Sequence, residues 1–173
     1  MIRGLYIGRF QPMHKGHLDV LRYILGQTDE LIIAIGSAQE SHTPRNPFTA
    51  GERFEMIRSV IREEGFDLSS IYIVPVEDVK RNSIWVSHVL SLVPHFDVVY
   101  ANEPLATYLF EEAGFEVRKT LLFSRSSYSS THVRESIVGG SDWQDLVPPS
   151  IFDYIRKKGG VERMVRINST DKC

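Results

Sequence analysis

Five short apolar runs, continuous rather than alternating and rich in β-branched residues, constrain this chain more than any other feature. They are Leu5-Tyr6-Ile7, Leu31 to Ile35, Ile71 to Val76, Asp97 to Tyr100 and, more weakly, Glu116 to Leu121. Apolar side chains at successive positions suit strands covered on both faces. Segments of helical period lie between the runs. Gly16 to Leu25 sets His17, Leu21, Ile24 and Leu25 along one side. Thr49 can cap a helix whose inward stripe is Phe54, Ile57, Val60 and Ile61 and which stops at Gly65. Ile84 to Leu92 and Leu105 to Ala113 follow the third and fourth runs, and Thr131 to Val138 and Pro149 to Lys157 follow the fifth. This alternation predicts an α/β chain: one domain over residues 1–165, a mostly parallel sheet of five or six strands, helices on both faces and further C-terminal helices. The polar stretch from Val165, residues 166–173 above all, reads as a frayed, flexible tail.

Composition narrows the function classes. No apolar run approaches the roughly 20 residues that cross a bilayer, and Met1-Ile2-Arg3-Gly4 leads into a strand without the apolar region of a signal peptide. Cys173 is the only cysteine, which removes intrachain disulfides and cysteine metal sites and predicts a reducing, cytoplasmic setting. With 20 basic against 22 acidic residues, the chain lacks the basic excess of a protein that grips a long nucleic-acid backbone. A small phosphate ligand needs only a few local cations.

The first run ends at Gly8, and Pro12 bars an immediate helix, so residues 8 to 13 form a loop. His14 and His17, three apart, then share one side of a helix start, where free N–H groups and the helix dipole favour an anion. Imidazole donors there can hold phosphate oxygens and stabilise charge that builds at an attacked phosphorus. Gly8 and Gly16 let the backbone approach such a ligand, and Arg9 adds a planar fork suited to phosphate. Taken alone, His-x-x-His is more often a capping or core pair, and a zinc site is a further reading that lacks a nearby third ligand. The whole string from the strand through Gly-Arg-Phe-Gln-Pro-Met to His14-Lys15-Gly16-His17 resembles the H-x-G-H signature of the nucleotidylyltransferase superfamily. Neither the Gly-x-Gly-x-x-Gly fingerprint nor a P-loop is present.

A second string, Ser129-Ser130-Thr131-His132-Val133-Arg134, resembles the superfamily's later signature. Ser130 or Thr131 can cap a helix whose first N–H groups face a phosphate, and Arg134 can reach the same anion. Alone this is a common capping pattern; beside the first string it reads as the other half of a triphosphate site.

The likeness extends further. Gly36-Ser37-Ala38-Gln39, Ser41-His42-Thr43, Asn46-Pro47-Phe48-Thr49, Gly51-Glu52-Arg53, Asn82-Ser83-Ile84-Trp85-Val86 and Asp142-Trp143 through Val147-Pro148 are similar to the archaeal type of nicotinamide-nucleotide adenylyltransferase. The resemblance implies a Rossmann-like fold and adenylyl transfer from ATP, with Mg²⁺, to nicotinamide mononucleotide (NMN), giving NAD and pyrophosphate. It implies that Arg9, His14, His17, Arg45 and Arg134 surround the ATP phosphates. Gly8, Phe10, Gln11, Ser129, Ser130 and Thr131 are carried over to the same nucleotide, and Gly36 and Ser37 to its adenosine. Asn82, Trp85 and Phe123 are carried over to the nicotinamide nucleotide. A cationic ring is independently attracted to an indole face, although Trp85 also reads as a core residue of its helix. A homo-oligomer, with a hexamer as one form, is implied as well. Three positions depart from the pattern: Ser130 where alanine is frequent, Arg45 where lysine also occurs, and His132 where an acid is frequent.

Overall fold

The computed structural model describes residues 1–120 and 128–169. Contacts group these residues into two compact units, one of residues 1–9, 20–39 and 67–120 and the other of residues 10–19, 40–66 and 128–169.

The first unit carries the sheet. Strands β1 (Arg3–Gly8), β2 (Glu30–Ile35), β3 (Ile71–Pro75), β4 (Val98–Tyr100) and β5 (Glu116–Arg118) pair in parallel in the order β3-β2-β1-β4-β5. Leu5 sits opposite Ile32 on one side and Val99 on the other. The continuous apolar runs have the cause the pattern predicts. Along one pleat face Leu5, Ile32, Ala34 and Val99 pack with Val86 and Val89 of α3 (Trp85–Leu92) and Phe110 of α4 (Pro104–Glu112). On the opposite pleat Tyr100 meets Tyr23 of α1 (Lys15–Leu25) edge-on, ring centroids 6.5 Å apart. Each aliphatic side chain buried this way contributes about 1.5–3 kcal/mol.

β5 ends at Arg118, earlier than the apolar run suggests. The next described residues leave the ladder because the Thr120 N–H donates to the Asn102 side-chain oxygen (3.0 Å), tying the chain beyond β5 to the chain beyond β4. The strand order reverses between β1 and β4, and parallel sheets bind ligands beyond their carboxyl ends at such a reversal.

The second unit is built of helices and loops. α2 (Ala50–Glu63) starts as expected at Thr49, whose hydroxyl accepts from the Glu52 N–H while the Glu52 carboxylate accepts from the Thr49 N–H. Gly65, at φ +71°, follows its end. Of the expected stripe Ile57, Val60 and Ile61 are buried and Phe54 is only half-buried, with Met56 taking the inner position. α5 (Ser130–Val138) packs with α7 (Gly160–Ser169), and α6 (Pro149–Lys157) packs with both α2 and α7. α7 corrects the expectation of a frayed tail from Val165. Met164 is buried, and the Asn168 amide donates to the Met164 carbonyl at 2.8 Å, so the helix persists to Ser169. Among the described residues no helix is long and apolar enough to cross a membrane.

Candidate active site

The two histidines cap α1 reciprocally. The His17 N–H donates to His14 Nδ1 (3.3 Å), and the His14 N–H donates to His17 Nδ1 (3.2 Å). This is the logic of a capping box with imidazoles in place of a hydroxyl and a carboxylate. The capping reading and the catalytic reading are therefore compatible. An Nδ1 that accepts carries no proton, so in each neutral ring the proton sits on Nε2. The rings lie 3.7 Å apart at 31°, with Phe10 against His17 at 4.9 Å. Burial pushes His14 down to about 4, and burial first and the neighbouring His14 second hold His17 well below the ordinary histidine range. Two neutral Nε2–H donors thus stand at a helix N-terminus, able to meet an anion without a full charge of their own.

Gly16 has a reason different from the expected approach to a ligand. A Cβ there would lie 3.1 Å from the His14 ring and 3.1 Å from the Tyr128 Cβ, so glycine lets the imidazole fold over the helix start. Phe10 and Ser37, each at φ 50°, hold left-handed backbone in the segments that follow β1 and β2. Non-glycine residues seldom adopt it, and such strain gathers at functional sites.

In the same unit Arg134 donates to the Gln11 carbonyl (2.8 Å) and to the Thr131 hydroxyl (3.2 Å). The Ser130 hydroxyl donates to the Pro12 carbonyl at 2.9 Å. The second string is thus fastened to the loop that carries the histidines. The cap of α5 is neither Ser130 nor Thr131 but Ser129, whose hydroxyl accepts from the His132 N–H at 3.1 Å. The helix begins one residue earlier than its apolar pattern indicates, and Ser130 is spent on Pro12. Gln11 is buried and its side-chain amide is committed to Phe48: Nε2 donates to the Phe48 carbonyl (2.8 Å) and Oε1 accepts from the Phe48 N–H (3.0 Å). Arg45, Thr131 and Arg134 line one pocket of about 490 Å³, together with Glu135 and Asn168, which the sequence did not point to. Asn168 was missed because its helix was.

In the first unit the Gly36 N–H donates to the Gly8 carbonyl (2.9 Å), closing the carboxyl ends of β1 and β2 on each other. Arg9 and Ser37 belong to this unit too. Asn82 opens a 3-10 turn that leads into α3 at Trp85. Both line a pocket of about 200 Å³ with Asp78, Val79, Glu103 and Leu105. Trp85 is half-buried: it stacks edge-on against Phe110 of the core at 5.4 Å, as the core reading expects, and it also lines this pocket. Glu103 caps α4, accepting from the Ala106 N–H at 2.7 Å. Its place just beyond β4 is the signal that could have singled it out. Phe123 lies outside the described residues.

Known proteins resemble this chain in sequence and fold. A family model described as cytidylyltransferase-like matches residues 5–136. The nicotinamide-nucleotide adenylyltransferase of Saccharolobus solfataricus is 49% identical over 99% of this chain and 100% of its own length. That of Archaeoglobus fulgidus is 48% identical over 98% of this chain and 99% of its own. A bifunctional NMN adenylyltransferase/ADP ribose pyrophosphatase from Francisella tularensis, solved with AMP and a manganese ion, aligns with a TM-score of 0.79 at 22% identity. That alignment covers 98% of this chain and 53% of the Francisella protein, about half its length, and it speaks for the fold alone. With both signature strings in place and near-half identity to curated relatives along its length, the chain belongs to the cytidylyltransferase-like family of nucleotidyltransferases, among the nicotinamide-nucleotide adenylyltransferases.

Proposed function

We propose that the chain transfers the adenylyl group of ATP to NMN, forming NAD and pyrophosphate. An oxygen of the NMN phosphate attacks the α-phosphorus. A new P–O bond forms, the bond from the α-phosphorus to the bridging oxygen breaks, and its electron pair leaves with pyrophosphate. The acceptor phosphate is already largely ionised at neutral pH, so no protein nucleophile or general base is required. The protein's work is alignment and the stabilisation of negative charge.

The observation that carries this reading is the reciprocal cap of His14 and His17. It fixes both Nε2–H donors at a helix start, the place where a triphosphate is best held. Arg134 and Arg45 supply charge for the same ligand, and Arg9 is assigned to it as well. Trp85 and Asn82 are assigned to the nicotinamide ring. Among the described residues no group of three or more His, Cys, Asp or Glu is placed to hold a metal ion. A divalent cation, Mg²⁺ in this reading, would enter with the triphosphate and offset charge on the nucleotide. The active species is a homo-oligomer, which light scattering on the eluted protein tests.

The functional test is incubation of the purified protein with ATP, Mg²⁺ and, separately, NMN, pantetheine phosphate and flavin mononucleotide, followed by resolution of the products. NAD and pyrophosphate in equal amounts are expected. Transfer to either other acceptor with greater efficiency overturns the assignment.

A further inference from the structure

We propose that Arg163, on α7, is a positioning residue for adenylyl transfer, acting through Glu52, Phe48 and Gln11 on Arg134. The proposal rests on the reading of Arg134 as a triphosphate ligand.

The route is a run of hydrogen bonds within the second unit. The Arg163 guanidinium grips Glu52 with both arms, Nη1 to Oε2 at 2.7 Å and Nη2 to Oε1 at 2.8 Å. Nη1 also donates to the Pro47 carbonyl at 3.2 Å. Glu52 Oε2 accepts from the Thr49 N–H at 2.9 Å as well. Pro47 and Thr49, the two neighbours of Phe48, are thus tied to one ion pair. The Phe48 ring lies under the guanidinium, 5.9 Å from its carbon, and the α7 start fits over the ring only because Gly160 lacks a Cβ, which would stand 3.0 Å from it. Held on both sides, Phe48 offers its N–H and carbonyl to the Gln11 amide at 3.0 and 2.8 Å. The Gln11 backbone carbonyl is the one to which Arg134 donates.

Each link is directional. A planar fork matches a carboxylate bidentately where an ammonium cannot, so lysine at 163 keeps the charge and loses the second arm. The pair is mostly shielded, its side chains 22% and 18% exposed, which sets it apart from a loose surface pair. Phe48 and Gln11 are each 1% exposed, so a shift at one is passed to the other rather than absorbed by solvent. The rival role for Arg163 is plain support of α7 against α2. Support alone lowers thermal stability and leaves the turnover of folded molecules unchanged.

The test is a double-mutant cycle on the full chain, with turnover normalised to the folded fraction by circular dichroism. Arg163→Ala is expected to lower kcat about tenfold, within the range for residues that share a network, with the KM for NMN unchanged. Arg163→Lys should fall between that variant and the parent. In an Arg134→Lys background, Arg163→Ala should add little further loss. Glu52→Gln keeps an acceptor for Thr49 and weakens the fork; it should reproduce part of the loss and carries the test if Arg163→Ala does not fold. Parental kcat in Arg163→Ala, or in Glu52→Gln when that variant carries the test, overturns the proposal, as does an equal fractional loss in both backgrounds. A wild-type protein that makes no NAD overturns the reading of the site instead, and that outcome is visible before any variant is made.

Discussion

The pocket of the second unit sets two guanidiniums, Arg45 and Arg134, against one carboxylate, Glu135. The pocket of the first unit is lined by Asp78, Glu103 and the Trp85 indole, with no Lys, Arg or His among its described lining residues. A net charge of −2 conceals this separation. One pocket suits a polyanion and the other a cationic aromatic ring, so a triphosphate and a pyridinium ring would each be favoured by a different lining, although both nucleotides are anionic through their phosphates. Near-neutral composition leaves room for a local anion site.

Arg134 gives the largest expected effect and is the surest way to break the contrast. Arg134→Ala loses both the charge and the fork and should lower turnover by about a hundredfold to a thousandfold or more, the scale for a donor aimed at developing charge. The variant should remain folded, since α5 keeps its Ser129 cap and its buried Val133 and Ile137. Arg134→Lys should retain partial activity. If Arg134→Ala binds a non-hydrolysable ATP analogue and turns over like the parent, the second string is only a helix cap and the polyanion pocket loses its main cation.

His17→Ala should come next, with turnover reduced by roughly a hundredfold and ATP affinity much less affected, because its donor meets charge that grows in the transition state. Equal losses in both would move it to ground-state binding. The same residues give a pH signature. His14 is held at about 4 and His17 well below the ordinary histidine range in the folded chain, whereas an unfolded histidine titrates near 6.5. Between those values the unfolded chain binds more protons, so stability falls as pH drops from about 6.5 towards 4. Each Nδ1 is occupied by a backbone N–H, so adding a second proton to either ring breaks the cap. Thermal unfolding followed from pH 7 down to pH 4.5 should show the midpoint falling; a midpoint that does not move over that range would mean that the rings are not held neutral.

The other pocket is tested by Trp85→Ala, which should raise the KM for NMN by about two- to thirtyfold, the worth of a ring–cation contact, and spare that for ATP. The indole also packs on Phe110, so some loss of thermal stability accompanies it. Weaker ATP binding with unchanged NMN binding would reverse the assignment of the two pockets.

The strands, the alternation and most helix bounds could be read from the chain because local period and buried faces coincide there: Pro149–Lys157 is a helix where its stripe places one. α7 was not legible. Its hold on the fold comes from Met164 and the Arg163–Glu52 pair, contacts 111 residues apart for the latter, and no local pattern announces them. At the candidate site the residue types were legible and their use was not. His14 and His17 stood out from their spacing, but the mutual Nδ1 caps that decide their protonation are geometry. Gln11 belonged to a signature, yet its amide goes to Phe48, a partner 37 residues away. Asp78 and Glu103 carried no motif, and only the turn of the chain beyond β3 and β4 brings them beside Trp85.

The smallest expected effect sharpens the contrast most, because it asks whether the acidic lining selects between two acceptors that differ in one group. NMN and its nicotinic acid counterpart share the cationic ring that Trp85 would face; the second also carries a carboxylate. Near Asp78 and Glu103 that carboxylate meets like charge. At separations of several ångströms in a partly solvated pocket each such pair costs about 0.5–1 kcal/mol, roughly two- to fivefold in affinity. Glu103 is the less suitable residue to change, since it caps α4 and its loss would disturb the helix. Asp78 is exposed and lies outside any helix or strand, so Asp78→Asn alters charge with little change in shape. The variant should lower the KM for nicotinic acid mononucleotide by that factor, leave the KM for ATP alone, and weaken NMN binding slightly through the lost attraction to the ring. The difference between parent and variant should shrink in 0.5 M salt, where exposed charges are screened over a few ångströms. If the ratio of the two KM values is the same in both proteins at low salt, Asp78 does not face the acceptor ring, and the pocket's acidity plays no part in choosing it.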